Sequence, residues 1–575
     1  MPATSIDTPL YRILVDGSEL SPAEADTIHE IKVTDWLRLP SVCSLQVGYP
    51  AGDESAPFKA LDESKLQIGK VLTVKLGAAD ERVTETLFEG EIVTLEPEFH
   101  AGSVAMVVRA YDKTHRLMRT RKQRTFVQMS SADIVGKICR EFGLRAKVKS
   151  GGAVHETVYQ HNETDFDFIQ RLGSRIGYEF IVDAGKANFA PPEAGGPSID
   201  LSYPDDLWSF RPRITAVQQV EKVNVRGFDF KGKKSVLASS SNPTQVTKAG
   251  ITRQKVAKEF SGGVLEIGGQ SFSKQAEATA MAKAALDQLA NAYLAAEGSC
   301  AGNPKIKAGV LLKITGVGKN YSGTYRVAKA THILRGGSGY VTSFSNSAGE
   351  HTLLGQSSGN GGGPVQADSI MVGIVSNNKD PEKLGRVRVK LPAMSDVESF
   401  WAPVVVPAGS RERGISMLPM PDDQVIVAFE NGDPSFPFII GSVFNGKNVP
   451  GSEMAVDDGS FALKSDKKAL IAAKEDITLR SEKGKWEIKI DGGEVTETVK
   501  QGYTGDFGGG YQLTAKQAIT IESKQGLTIK APTITVEAKG SLTVESKGSL
   551  SLKGAQVSLE GQAMVNITGG LINIG

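Results

Sequence analysis

The sequence predicts a mainly β protein with a few helices, a small barrel of the oligonucleotide/oligosaccharide-binding (OB) type, and a C-terminal triple-stranded β-helix needle formed by a homotrimer. Three observations carry this. Over 518–575 hydrophobic residues come in i, i+2 pairs at a nearly fixed spacing. Over 368–449 short apolar runs alternate with turn signals. Before that, apolar and polar residues alternate in brief runs with three helical interruptions, the period-2 signature of strands.

The C-terminal pairs are Ile519 with Ile521, Leu527 with Ile529, Ile534 with Val536, Leu542 with Val544, Leu550 with Leu552, Val557 with Leu559, Val565 with Ile567 and Ile572 with Ile574. Their first members lie 8, 7, 8, 8, 7, 8 and 7 residues apart. Residues two apart share a strand face. Gly, Lys, Ser and Glu between pairs suit solvated corners. Each octad therefore reads as one strand plus one turn, and a fixed short period signals a β-helix or solenoid. One octad is too short for a coil, since a single-chain β-helix needs roughly 18 residues per turn to wrap sheets about 10 Å apart. Three chains, each supplying one side of a prism, bring their apolar pairs together on one axis and cover the strand edges. The paired residues from Ile519 to Ile567 are thus expected to form the needle core.

Composition bounds the rest. The chain has 575 residues, which suggests three to five domains. A net charge of +1 excludes any global argument for nucleic acid or an anionic membrane. The 63 glycines with only 7% aromatics favour β-structure with many turns. Cys43, Cys139 and Cys300 are far apart, odd in number and outside metal-ligand spacing, so they are expected to be small buried hydrophobes in a reducing compartment. The N-terminus lacks the pattern of a signal peptide, and no apolar run has the length of a membrane span. Synthesis in the cytoplasm is expected, with export by some route other than a general signal.

Taken in order, strands are expected at 11–15, 44–47, 71–76, 90–95 and 104–110. A helix follows, with Ser130 or Ser131 as N-cap, Ile134, Ile138 and Phe142 on one face, and Gly143 as stop. A second begins at Thr164, carrying Phe166, Phe168, Ile169 and Leu172 before Gly173. Strands resume at 178–182 and 216–230. The longest helical signal spans 272–297, with Gly298 beyond, and strands return at 310–315, 323–331 and 340–345. A Gly/Ser linker is expected at 355–366. The barrel, 367–450, has expected strands at 370–375, 386–391, 400–406, 414–418, 424–429 and 438–443. The needle, 451–575, opens with the pairs Phe461 with Leu463, Ala469 with Ile471 and Ile477 with Leu479. Its register lapses over about 491–510, read as a bulged loop before Tyr511 and Leu513.

The barrel carries a specific resemblance. Val372-Gly373-Ile374-Val375, Asp380-Pro381-Glu382-Lys383-Leu384-Gly385-Arg386-Val387-Arg388-Val389, Phe400-Trp401-Ala402-Pro403-Val404, Leu418-Pro419-Met420-Pro421-Asp422-Asp423-Gln424-Val425, Glu430-Asn431-Gly432-Asp433-Pro434 and Gly441-Ser442-Val443-Phe444-Asn445-Gly446 resemble the collar of VgrG-type spike proteins of contractile injection systems. Upstream, Phe88-Glu89-Gly90-Glu91-Ile92, Tyr111-Asp112-Lys113-Thr114-His115-Arg116-Leu117 and Thr164-Asp165-Phe166-Asp167-Phe168-Ile169 are similar to the hub portion that the family shares with phage baseplate hubs. The resemblance implies a homotrimer: a hub of paired β-barrels plus helices over 1–354, an OB collar and a needle. It sits on the inner tube and baseplate, and sheath contraction drives it through a target envelope, possibly with effectors. It also implies that Leu571, Ile572, Asn573, Ile574 and Gly575 form a three-fold platform for a PAAR-like tip protein. Only residues 449–460 separate collar from needle, and the sequence stops on an octad, so neither an inserted lysozyme domain nor a trailing effector is expected.

No catalytic, cofactor-binding or metal site is expected. His29, His100, His115, His155, His161, His332 and His351 fall in no metal-binding spacing and are read as structural. Asp380 and Glu382 are read as turn residues. There is no P-loop, and Gly361-Gly362-Gly363 opens no helix. The basic run Arg116, Arg119, Arg121, Lys122, Arg124 lacks interleaved aromatics and reads as a solvated face or a subunit contact. Glu537, Lys539, Glu545 and Lys547 recur at octad spacing and suit soluble needle flanks. An envelope-degrading spike and a trimeric adhesin or tail-fibre-like needle remain the alternatives. Within the spike reading a free extracellular particle, a type VI apparatus and a phage stay open.

Overall fold

Why strands within 11–111 and within 207–345 share one sheet is a matter of two strands far apart in sequence. In the computed structural model, Ile28–Trp36 pairs antiparallel with Lys329–Arg335, from Thr34 opposite Thr331 to Glu30 opposite Arg335. That pairing joins an N-terminal group of strands to a later one in an eleven-stranded sheet. The structure describes residues 11–574 except 51–57, 78–84, 101–102, 184, 230–231, 261, 273, 337–338, 348–369, 395, 412, 453, 455–460, 481–482, 484–487, 489 and 491–493. The expected linker, with Gly361 to Gly363 and His351, thus lies outside the described residues. The chain divides into two units, Met1–Lys467 and Lys468–Gly575.

In the first unit the sheet wraps two apolar cores. One packs Ile13, Leu45, Leu72, Val74, Ile92 and Val108 from strands within 11–111. The other packs Leu207, Leu294, Ile314, Tyr325 and Phe344. The expected strands at 11–15, 71–76 and 104–110 fall in Tyr11–Val15, Val71–Leu76 and Ser103–Tyr111, each alternating buried and less buried positions.

A helical lobe stands between these groups in sequence. Ser130 caps the helix Ser131–Glu141 by accepting from the Asp133 amide, while the Asp133 carboxylate accepts from the Ser130 amide and hydroxyl. Thr164 caps the helix Asp165–Ile176. Gly173 does not stop this helix but lies inside it, where an added Cβ would stand 2.7 Å from the Tyr178 carbonyl. The stop is Gly177, with φ at +73°. Phe126, Ile134, Ile138, Phe168, Ile169 and Phe189 fill this lobe's core.

The long helical signal at 272–297 is only partly helix. The helix is Gln275–Asn291, and Leu294–Ala301 is a strand. Asn291 ends the helix by turning its side chain to other backbone: Oδ1 accepts from Val246 and Thr247, and Nδ2 donates to the Thr244 carbonyl. Beyond it Leu294, Ala296, Gly298 and Cys300 alternate inward between Leu207–Ile214 and Gly339–Ser345. Alanine's helix propensity is overridden by two flanking strands.

The collar closes on itself. Ile370–Asn377 pairs with Arg386–Leu391 on one side and Gln424–Phe429 on the other. Gln424–Phe429 pairs with Pro437–Ser442, and Ala402–Pro403 pairs with Arg386–Val387. A bridge from Val404 to Ile439 shuts the ring. Five strands in a closed ring fit the OB type. The expected strand at 414–418 does not form: Gly414 only bridges Gly409, and Ile415 and Met417 point into solvent. At Gly373 the barrel interior leaves no room for a side chain, because a Cβ would stand 2.9 Å from Val427 Cγ2.

In the second unit, the described residues form no strand pairs within the chain.

Candidate assembly surfaces

Three places bear on function: the octad segment, the collar's ion pair and plug, and the basic run. In the octad segment the residues expected in a needle core are not buried within the chain. Ile519 and Ile521 are 50% and 69% accessible, and Leu542 and Val544 are 60% and 64%. Leu527, Ile534, Leu550, Val557 and Val565, the first members of the other core pairs, are exposed too. Their second members Ile529, Val536, Leu552, Leu559 and Ile567 are likewise exposed, each between 60% and 67% accessible. The expected core is one shared by three chains, and the single chain leaves all of these side chains in water. The reason is geometric: one extended octad has no second layer to pack against, so a lone chain encloses no interior. At the end Leu571 and Ile574 are more exposed still, at 82% and 92%, and Ile572 is exposed as well. Soluble chains rarely leave a long regular apolar stripe in water.

The backbone follows the same period. It bends at 516–517, 524–525, 532, 539–540, 547–548, 555, 562–563 and 570. Each bend falls between two apolar pairs. The corner serines hold some of them: Ser523 Oγ accepts from the Gly526 amide at 3.1 Å, and Ser546 Oγ from the Gly548 amide at 3.3 Å. Ser523 and Ser546 occupy the same octad position. Bends also occur at 500–501 and 508–509, inside the stretch where the sequence predicts a bulge.

In the collar, Asp380 is more than a turn residue. Its carboxylate accepts from the Glu382 and Leu384 amides and binds Arg386 with both oxygens. The Arg386 guanidinium holds the Asp380 carboxyl well below the usual carboxylate range. Tyr159, from the helical lobe's strand Val154–Thr164, is 2% exposed and sits in the collar core with Val389, Leu391 and Met394. No sequence signal marked Tyr159, because its partners lie more than 200 residues away.

The basic run is exposed at Arg116, Arg119 and Arg121 and half-buried at Lys122 and Arg124. Arg116 forks onto Glu91, whose carboxylate also meets His115 at 2.9 Å. Lys122 and Arg124 both bind the buried Asp165, and Arg124 also reaches Glu141. Arg121 donates to the Asn162 carbonyl. Reading the run as a solvated face is therefore corrected for Lys122 and Arg124, half-buried against Asp165 from another element, while Arg116 remains exposed.

Of the expected structural histidines, His332 is buried. Its Nε2 donates to the Ile306 carbonyl, and its Nδ1 accepts from Tyr340 Oη and Thr342 Oγ1. Burial pushes the imidazole down to about 4. His155 contacts Glu277, and His100 contacts Glu98. The three cysteines are free and buried, and burial raises the Cys139 thiol to about 11 and Cys300 to about 12. Such thiols are not thiolates at neutral pH. Among the described residues no helix is long and apolar enough to cross a membrane.

Residues 5–336 match the family model of the Alg8 N-terminal domain, which is more than half of the chain. The chain belongs to the Alg8 N-terminal domain family. That family match covers the helical lobe and most of both sheet cores. Residues 371–444 match the type VI secretion system/phage-baseplate injector OB domain, the collar segment that closes around Val404 and Ile439. The collar of this Alg8 N-terminal domain protein is thus similar to the injector OB domain of type VI secretion systems and phage baseplates. No curated protein matches it in sequence.

Solved structures similar to this Alg8 N-terminal domain chain include the prophage MuSo2 43 kDa tail protein from Shewanella oneidensis, at 16% identity over 59% of this chain and 98% of that one, with a TM-score of 0.46. A type VI secretion component of E. coli, itself similar to the T4 tail proteins gp27 and gp5, is 14% identical over 75% and 99%, with a TM-score of 0.46. A chain of the lidded Francisella PdpA–VgrG complex is 11% identical over 76% and 71%, with a TM-score of 0.47.

Proposed function

We propose that the chain is the trimeric hub and spike of a contractile injection system. The N-terminal part forms the hub on the inner tube and baseplate, the OB barrel forms the collar, and the octads of three chains form a needle. The observation that carries this reading is the octad segment, whose apolar pairs and backbone bends share one spacing while the pairs stand exposed on the single chain. Burying them needs partners on every side, and three copies supply them symmetrically. The match to the injector OB domain supports the same reading.

The role is mechanical rather than enzymatic. Eight octads at a strand spacing of about 4.8 Å give a rod of roughly 40 Å over the last sixty residues alone. Intertwined chains cannot peel apart singly, so such a rod resists force until it fails as a whole. Sheath contraction drives it through the target envelope, with effectors travelling on it. At its end Leu571, Ile572, Asn573, Ile574 and Gly575 form the platform for a PAAR-like tip protein. The protein is made in the cytoplasm and delivered as part of the assembled particle. Sedimentation of the purified full chain tests this: a trimer is expected, and a folded monomer with the octad segment protected from hydrogen exchange overturns it.

A further inference from the structure

We propose that the residue directly after each of the first six apolar pairs from Ile519 onward forms a column of mixed charge between chains, which sets their stagger to one octad and rejects in-register stacking. The proposal rests on the trimeric reading. The column is Glu522, Lys530, Glu537, Glu545, Lys553 and Glu560, all exposed on the single chain. Each stands three residues after the first member of its pair. Since the pair faces the axis, these residues and the one between each pair face outward.

Symmetry then decides who meets whom. If each octad covers one face of a three-sided prism, the next octad of the same chain covers the next face. A three-fold rotation places octad n+1 of a second chain beside octad n of the first, about 4.8 Å away. In that arrangement Glu522 meets Lys530 and Lys530 meets Glu537. Likewise Glu545 meets Lys553 and Lys553 meets Glu560. One like pair remains, Glu537 with Glu545, and Lys539 and Lys547 stand at the adjoining corners. Opposite charges directly across strands stabilise a sheet, and like charges destabilise it.

Other registers fare worse. Octads stacked level, as in a cross-β aggregate, put every residue of the column against its own copy. A three-octad shift pairs Glu522 with Glu545, Lys530 with Lys553 and Glu537 with Glu560, all like charges. A two-octad shift gives two like and two opposite contacts. The apolar pairs cannot make this choice, because Ile, Leu and Val recur in every octad. Nor can the position between them, which carries only Thr, Ser or Asn from Thr520 to Asn573. Register information is thus concentrated in the charged column, a device against slipped and aggregated forms.

The test uses the full chain and two variants. K530E with K553E makes the column wholly acidic. E522K, K530E, E537K, E545K, K553E and E560K together invert it. At about 10 mM salt, where screening is weak, the double variant is expected to assemble about tenfold less trimer than the wild type and to recover at about 1 M salt. The inverted chain is expected to assemble like the wild type. A double variant that assembles and melts like the wild type at low salt overturns the proposal, as does an inverted chain as poor as the double variant. Wild-type chain that stays monomeric overturns the trimeric reading as well. A wild-type trimer with an indifferent double variant overturns the column alone.

Discussion

Arg386 donates from Nε and Nη2 to the two carboxylate oxygens of Asp380, at 2.9 and 2.8 Å, with the two side chains only 7% and 4% exposed. The same carboxylate accepts the amides of Glu382 and Leu384. One buried pair therefore pins the turn between the first two collar strands. Asp380→Asn leaves the guanidinium buried against a neutral partner, and is expected to cost the collar about 3–5 kcal/mol in chemical denaturation. Asp380→Leu with Arg386→Met is expected to recover part of that loss, because no charge is then stranded.

The same contact has a pH consequence. The Asp380 carboxyl is depressed in the fold, so its contribution is present above the ordinary carboxylate range near pH 4 and is lost as pH falls below it. Collar unfolding followed from pH 5 downward is expected to show this loss, and Asp380→Asn to remove it.

His332 predicts a second pH effect in a different window. Its imidazole is held near 4 in the fold against an ordinary 6.5. A depressed group stabilises fully above its unfolded value, so hub stability is expected to decline as pH falls from about 6.5 towards 4, by about 3 kcal/mol in all. His332→Gln is expected to flatten that slope while lowering stability at neutral pH. Thermal melts across this range measure both.

Tyr159 joins the helical lobe to the collar as a plug, its Oη donating to the Glu398 carbonyl at 3.4 Å. Tyr159→Ala removes a fully buried ring and is expected to cost about 3–5 kcal/mol. Hydrogen exchange is expected to rise in Arg386–Leu391 and Gln424–Phe429, while the two hub sheet cores keep their protection. Tyr159→Phe is expected to be nearly silent, since the hydroxyl bond is long.

The octad segment predicts an all-or-none response. Val544→Asp places three carboxylates on one axis in the trimer, where none has a partner, and is expected to abolish trimer in sedimentation. Glu522→Gln, outward on the same segment, is expected to leave the trimer in place. Removal of 569–575 is expected to keep the trimer and lose the tip protein in a pull-down.

Wherever structure follows from neighbours in sequence, it was legible beforehand. The Ser130 and Thr164 caps, the alternation in Val71–Leu76 and Ser103–Tyr111, and the octad spacing all depend on side chains within a few residues of one another. Tertiary structure decided the rest. It paired Ile28–Trp36 with Lys329–Arg335, turned the end of an alanine-rich helical signal into the strand Leu294–Ala301, set Asp165 beside Lys122 and Arg124, and seated Tyr159 in the collar. Periodicity encodes which face of an element is apolar. It does not encode which distant face will cover it, because many partners satisfy the same burial, and only the folded chain brings one of them within contact distance.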